Sequence, residues 1–400
     1  MFSYWFVNQN LLALAVNNAV DNRSILATFT ILSILILISC RKSVREQPLS
    51  ILQTNQMKGI AILIIIVHHV GLVLGSPGYL SPLVYLGFPS VAIFLVLSGY
   101  GIFLSIEKKG LNNFFSKRVM RVYIPFILAM TGKILIFDYF ILNKRSNVGD
   151  SLLKIFFAPS TLDRYMWFIV YIIFWYCITY VVFSMNNSKE SKIFYLFITA
   201  IVVGISPLPH TWLRNPFSFP FGCWIGANSQ IIIENLENLL AGKKPKLSSI
   251  FAHIKKHLNH YIETFTLYLS FGMVFLHLWV WMKFPNSANT QIYSPLIYSP
   301  IIQVIARAII GISFAILIIG LIILLGKFKI RCTFLNFLGE NSFEIYLVHG
   351  TLLSLFELMS GVDFAVTFFV YFIIVCISSI VLKKVSSFVS DLLLKNVNNS

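Results

Sequence analysis

The chain has 400 residues, of which 57% are hydrophobic and 12% are charged, and its formal net charge is +16. A mean hydropathy of +0.81 and repeated bilayer-length apolar runs exclude an ordinary soluble domain and predict many membrane-spanning helices. The basic residues stand in short clusters between these runs, as in the cytoplasmic loops of membrane proteins, so no nucleic-acid partner is predicted. Five scattered cysteines without a CxxC pair indicate structural thiols and no metal site.

The apolar runs predict an all-α fold, a polytopic membrane helix bundle of about eleven transmembrane helices. In chain order the predicted spans are 24–40, 57–75, 83–106, one that ends near 142, 165–185, 193–208, 217–233, 263–282, 300–326, 341–358 and 365–382. We divide the chain into an N-terminal segment with one transmembrane helix (1–51), a membrane domain (52–385) and a short cytoplasmic tail (386–400).

Loop charge orients these spans. The loops and helix ends on the side of Arg41 hold 22 lysines and arginines, and those on the other side hold 7. Because positively charged loops stay in the cytoplasm, we predict an outside N-terminus, a cytoplasmic C-terminus and a cytoplasmic 234–262 segment.

The second predicted span carries a lysine at its cytoplasmic start and a histidine near the middle of the membrane. Lys58 and His69 are eleven residues apart, so they share one helix face about 16 Å apart along the axis, whereas His68 points about 100° away. A neutral imidazole can remove a proton from a hydroxyl that attacks an acyl carbonyl, which makes His69 a candidate general base. Alternatively, His69 is a buried histidine bonded to a neighbouring helix.

A basic segment before the fourth span contains Arg118 and Arg121. At spacing i, i+3 their guanidinium groups lie close enough to bind one polyanion, such as the phosphates of a cytosolic acyl donor. The alternative is that they only anchor the helix end on the cytoplasmic side.

The tenth span carries a polar stripe of Ser342, Tyr346 and His349, which lie within about 60° of one another on a helix. This stripe either lines a pocket or holds helices together through hydrogen bonds. Two weaker features are Ser98, in a Ser-Gly-Tyr-Gly segment that also favours close helix packing, and Trp167, which also suits an aromatic belt at the membrane surface.

In combination these motifs resemble the acyltransferase-3 family of membrane O-acyltransferases, which modify bacterial surface polysaccharides and related acceptors. The first motif of the family is a basic residue followed, after ten further residues, by a histidine. Lys58 and His69 match this motif, with lysine where arginine is usual. Later stretches match in the same order: Phe94 to Tyr100, Phe115 to Pro125 with its Arg-x-x-Arg, Trp167-Phe168, and Leu338 to His349. The family core has ten spans, so the first predicted helix is an addition.

The resemblance implies an O-acyltransferase of the bacterial inner membrane without a bound cofactor or metal. Acyl-CoA, with acetyl-CoA favoured, is the expected co-substrate, held near Lys58, Arg118 and Arg121. His69 is the expected catalytic base, and Ser98, Trp167, Ser342, Tyr346 and His349 are expected in the acceptor site or pocket. The expected partners are membrane lipids and a glycan acceptor, and both a covalent acyl-histidine and a direct transfer remain open.

Two rival functions are consistent with the same spans. A transporter of polysaccharide or lipid-linked glycan also places polar residues inside the membrane. It is expected to show internal repeats or paired broken helices, and the sequence shows neither. A non-catalytic scaffold for polysaccharide assembly leaves His69 without a role.

Overall fold

The apolar runs form long helices that pack side by side. The computed structural model describes residues 21–44, 46–74, 78–141, 148–157, 162–206, 211–240, 300–354, 356, 359 and 361–398. The predicted span 263–282 and most of the predicted cytoplasmic segment 234–262 lie outside these residues.

Helices account for most of the described chain. In order the α-helices are α1 (Asn22–Ser39), α2 (Ile51–Val73), α3 (Ser81–Val84), α4 (Gly87–Lys109), α5 (Phe114–Arg118), α6 (Ile124–Gly132), α7 (Val148–Phe157), α8 (Trp167–Ser184), α9 (Lys189–Ile205), α10 (Ser218–Ala227), α11 (Ser229–Leu240), α12 (Pro300–Lys327), α13 (Thr333–Glu340), α14 (Ser342–Leu352) and α15 (Phe364–Asn398). Two π-helical stretches, Val119–Tyr123 and Lys133–Ile141, flank α6. Short 3-10 turns cover Gly78–Leu80, Arg164–Met166 and Trp212–Arg214.

Seven helical segments of the described chain are long and apolar enough to cross a membrane, which confirms the predicted helical membrane bundle. The remaining predicted spans within the described chain are shorter or interrupted. Span 193–208 is the 17-residue helix α9, span 217–233 is divided at Asn228, and span 341–358 is the 11-residue helix α14. The predicted tail continues α15 as helix to Asn398.

A two-stranded ribbon, which the sequence analysis did not predict, closes one end of the bundle. Strand β1 (Cys40–Lys42) pairs antiparallel with β2 (Ile330–Cys332), and Cys40 lies opposite Cys332. The backbone N–H of Cys332 donates to Gln56 Oε1 at 2.9 Å and so fixes the start of α2. All five cysteines are free thiols. Burial and the neighbouring Cys332 raise the pKa of Cys40 to about 11, so this thiol stays protonated near neutral pH.

Glycines let the helices that carry the candidate site approach their neighbours closely. A Cβ atom at Gly59 of α2 would overlap the Leu335 carbonyl of α13, and one at Gly339 of α13 would overlap the Asn55 carbonyl of α2. This reciprocal contact, of the kind that drives helix association in membranes, fixes α2 in position.

We expect Gly339→Ala to lower stability, because its Cβ meets backbone that cannot rotate away. Overpacking of this kind costs about 1–3 kcal/mol. Thermal unfolding of the purified protein measures it, with Gly320→Ala as the matched control, since a Cβ at Gly320 has nothing within 4 Å. Equal unfolding midpoints for the two variants would contradict the close contact.

Candidate active site

The structure brings together two histidines that are 280 positions apart in the sequence. His69 Nδ1 lies 2.7 Å from His349 Nε2, and the ring centroids are 4.9 Å apart. His69 lies one turn before the end of α2, and His349 lies in the short helix α14 with 0% of its surface exposed. The polar stripe on α14 therefore faces the candidate base on α2.

The hydrogen bonds assign the protons of this pair. His349 Nδ1 lies 2.6 Å from the carbonyl oxygen of Tyr346, and a carbonyl can only accept, so His349 Nδ1 carries the proton. In a neutral ring His349 Nε2 is then an acceptor, and His69 Nδ1–H must donate to it. The remaining nitrogen of His69, Nε2, therefore holds a lone pair, which is the form that a general base needs.

Tyr165 forms one wall of the histidine pair. Its ring centroid lies 4.2 Å from that of His69 and 5.6 Å from that of His349. The Tyr165 backbone is fixed at both ends, because its N–H donates to Asp163 Oδ1 at 2.8 Å and its carbonyl accepts from the Tyr346 hydroxyl. A side chain at Gly350 would overlap the Tyr165 ring, so the glycine makes room for it.

A second tyrosine supports His349 from α15. The Tyr371 hydroxyl donates to the backbone carbonyl of His349 at 3.1 Å, and Tyr371 is fully buried. These buried hydrogen bonds hold α14 in one position relative to α2.

His68 has a separate environment beside His69. Its Nδ1–H donates to the Val84 carbonyl, and its ring packs where a Gly87 side chain would stand. The two histidine rings are 4.8 Å apart. His68 thus joins α2 to the end of α3 and the start of α4, and its hydrogen bond is to Val84, whereas that of His69 is to His349. We name His68, His69, Tyr165, Tyr346 and His349 the histidine cluster.

A second polar level lies nearer the ribbon end of the bundle. Lys58 is half-buried, eleven residues or about 16 Å before His69 on α2. Helices α2 and α4 run in opposite directions and meet at His68 and Gly87, so Ser98, eleven residues beyond Gly87, lies level with Lys58. Ser98 lies close to the hydroxyl of Tyr176 of α8.

Arg118 lies at this same level. Its guanidinium stacks on the rings of Phe114 and Tyr176, with centroid distances of 5.0 and 5.5 Å. A cavity of about 210 Å³ opens beside it, between the start of the fourth span and α8. Lys58, Ser98, Arg118 and Tyr176 form what we name the arginine level.

The two arginines occupy different environments. Arg118 is half-buried, whereas Arg121 is exposed. The predicted proximity of Arg118 and Arg121 assumed an α-helix. A π-helical turn begins at Val119, and because it has more residues than an α-turn, the angle between the two side chains around the helix axis differs from the predicted one.

Of the predicted site residues, His69, Tyr346 and His349 come together, and Lys58, Ser98 and Arg118 share the second level. Ser342 is buried seven residues before His349, or about 10 Å along α14. The Trp167 ring packs on Phe168 and Tyr171.

Three residues of the site, Asp163, Tyr165 and Tyr371, were not predicted from the sequence. Asp163 precedes a helical turn as a capping residue does, and that is the one local signal that pointed to it. Within the described residues, no three His, Cys, Asp or Glu side chains cluster as metal ligands do.

Comparison with known proteins gives a direct family assignment. The acyltransferase domain of the acyltransferase-3 family matches residues 51–384, which include both polar levels. The comparisons with curated proteins and with solved structures found no match. With most of its length matched, the chain belongs to the acyltransferase-3 family and is a membrane acyltransferase.

Proposed function

We propose that the protein transfers an acyl group, with acetyl favoured, from cytosolic acyl-CoA to a hydroxyl of a cell-surface or lipid-linked glycan. The observation that carries this proposal is the contact between His69 Nδ1 and His349 Nε2, from which we infer that His69 Nε2 holds a lone pair. A transporter needs no such proton arrangement, whereas an O-acyltransferase needs a base at the reacting hydroxyl.

The reaction follows from this arrangement. His69 Nε2 takes the proton of the acceptor hydroxyl as its oxygen attacks the thioester carbonyl. The C–S bond breaks, and the leaving thiolate receives the proton back from His69. While His69 is cationic, its Nδ1–H bond to His349 is charge-assisted and therefore stronger. The same lone pair can instead attack the donor and form an acyl-histidine, which labelled donor added without acceptor would trap.

In this proposal the arginine level binds the acyl donor, and the histidine cluster is where the acceptor hydroxyl reacts. We place the ribbon end in the cytoplasm and the N-terminus outside, with the protein in the bacterial inner membrane. Lys58, Arg118 and Arg121 then supply positive charge for the donor phosphates. The donor must extend about 16 Å from there to bring its acyl carbon to His69.

Cells with and without the gene test this function. We expect NMR of the purified surface glycan to show O-acyl signals that disappear on deletion and return with the wild-type gene. Unchanged O-acyl content, with glycan export lost instead, would favour the transporter.

The arginine pair gives a sharper test of donor binding. We expect replacement of Arg118 and Arg121 by Gln to raise KM for acyl-CoA at least about tenfold, because charge-assisted contacts contribute about 1.5–3 kcal/mol each. Saturated turnover should change less, since such contacts are equal in ground and transition states.

The matched control replaces Lys108 and Lys109 of α4, which are exposed at a neighbouring basic helix end. This control should retain its KM. If both double variants bind donor normally once inserted, the arginines only anchor the helix.

A further inference from the structure

One buried carboxyl group lies beside the histidine cluster and has no part in the reaction proposed above. Asp163 is 7% exposed, and among the residues that the structure describes it is the only buried Asp or Glu. Burying a charge inside a membrane bundle is costly, and ionisable residues kept at such places commonly serve a function. What Asp163 can do depends on its position relative to the two histidines.

The Asp163 carboxyl group lies next to the backbone that carries His349. A Cβ atom at Gly350, the residue after His349, would stand 3.0 and 3.2 Å from the two carboxyl oxygens. Because consecutive Cα atoms are about 3.8 Å apart, the nearer oxygen lies within roughly 8 Å of the His349 Cα atom. A side chain at position 350 would enter the space that Asp163 and Tyr165 occupy, so the glycine permits this close approach.

Hydrogen bonds tie Asp163 to the elements that carry the histidines. Its Oδ1 accepts from the backbone N–H of Tyr165 at 2.8 Å. The Tyr346 hydroxyl lies close to Asp163 and donates to the Tyr165 carbonyl. The Tyr371 hydroxyl also lies close to Asp163 and donates to the His349 carbonyl at 3.1 Å. Asp163 therefore belongs to the same buried network that positions His349.

A negative charge at this place would strengthen the proposed base. His69 becomes cationic when it takes the proton of the acceptor hydroxyl, and this cation forms beside His349. At an effective dielectric constant of about 20, opposite unit charges about 10 Å apart change an equilibrium constant by about tenfold. An ionised Asp163 would therefore favour the protonated form of the pair and help His69 to accept the proton.

The other titratable groups around the pair do not supply this negative charge. Glu344 lies about 140° around α14 from His349 and is close to Lys383. Helix α6, which contacts α14, has no charged side chain. The remaining titratable neighbours in the described chain are His68, Tyr165, Tyr346 and Tyr371, together with Arg214 close to His68. Tyrosines are neutral near neutral pH, so Asp163 is the acidic group on this side of the pair.

We infer that Asp163 is a positioning residue whose carboxylate stabilises the cation that forms on the His69–His349 pair during acyl transfer. Asp163 takes up no proton itself, because the proton passes from the acceptor hydroxyl to His69 and then to the leaving thiolate. The inference rests on the proposed function and adds the residue that strengthens its base. The alternative is that Asp163 only caps the turn Arg164–Met166.

Asp163→Asn separates these two roles. Asparagine keeps an oxygen that can accept from the Tyr165 N–H, so it retains the cap and loses only the charge. We expect maximal turnover to fall about tenfold with little change in KM for the acyl donor. The acidic limb of the pH–rate profile should move about one unit to lower pH, because the active base is unprotonated and a weaker base loses its proton at lower pH. Asp163→Glu keeps the charge and should return the limb toward its wild-type position.

A second measurement needs no acyl donor. Nitrogen-15 NMR of histidine-labelled, full-length protein follows proton uptake by His69 and His349 as the pH falls. We expect the Asp163→Asn variant to take up this proton about one pH unit lower than the wild type. Asp163→Ser also retains a capping oxygen without the charge, and it repeats the test if the asparagine variant does not accumulate.

Asp21→Asn is the matched control. Asp21 Oδ1 likewise accepts from the backbone N–H two residues later, that of Arg23 at 3.0 Å, but Asp21 is exposed at the start of α1. This variant changes the net charge equally and should leave both pH dependences unchanged, because solvent and salt screen an exposed charge.

Unchanged proton uptake and an unchanged pH–rate profile in the charge-removing Asp163 variants would overturn the inference and leave Asp163 as a cap. An equal shift in the Asp21 variant would overturn it as well, since net charge alone would then explain the effect. Failure of the proposed function would look different: the NMR shift would be present, and the wild-type protein would transfer no acyl group.

Discussion

His69→Ala is expected to abolish acyl transfer while the protein still inserts and accumulates. The substitution removes the imidazole whose Nε2 we infer to be unprotonated from the contact with His349. Loss of a general base typically lowers the rate about 10²–10⁴-fold. Membranes supplied with labelled acetyl-CoA and the glycan acceptor measure the initial rate, normalised to the amount of inserted protein.

His68→Ala is the neighbouring control. The His68 ring is bonded to the Val84 carbonyl and not to His349, so its loss should have a much smaller effect on the rate. Near-normal glycan acylation by the His69 variant would show that His69 has only a structural role.

The second large effect is expected for His349→Ala. Without the acceptor at His349 Nε2, the hydrogen bond that favours the proton on His69 Nδ1 is lost, so we expect a larger share of the tautomer that protonates Nε2. We expect turnover to fall about 10²-fold or more with little change in KM for the donor, because His349 positions the base. The pH–rate profile should also shift, since the partner of the cationic ring is lost.

Tyr371→Phe is matched to this variant, because it removes a hydrogen bond to the His349 backbone and leaves both rings in place. One hydrogen bond of this kind is worth about 0.5–1.5 kcal/mol, so a modest loss of stability and a few-fold loss of rate are expected. If the tyrosine and histidine variants lose activity equally with unchanged pH profiles, His349 supports only the fold.

Local sequence pattern predicted the helical membrane fold and named both His69 and His349 as site residues, but it did not predict that they form a pair. Apolar length identified the spans, and helical periodicity placed Lys58 and His69 on one face and Tyr346 and His349 on another. Periodicity describes one helix at a time, so it cannot show that these two faces meet. That contact depends on the packing of α2, α13 and α14, which in turn depends on carbonyl–glycine contacts such as Asn55 with Gly339.

The residues that sequence reasoning missed act through their backbone or through distant partners. Tyr165 is positioned by hydrogen bonds of its backbone N–H and carbonyl, which the sequence does not indicate. Its side chain is one of several aromatic residues in the same segment, so it does not stand out in the sequence. Tyr371 is a single tyrosine in a long apolar span, where its bond to His349 leaves no local pattern. The short ribbon was missed because strands of three residues carry too little alternation to detect.

The tautomer of His69 is the most direct test of the account, because the proposed chemistry depends on which nitrogen carries the proton. Nitrogen-15 NMR of histidine-labelled protein, with His69→Ala to assign the signal, distinguishes a protonated nitrogen from one with a lone pair. We predict a proton on Nδ1 and a lone pair on Nε2 of His69 near neutral pH, and we expect this preference to be lost in His349→Ala. A proton on Nε2 in the wild-type resting protein would contradict it.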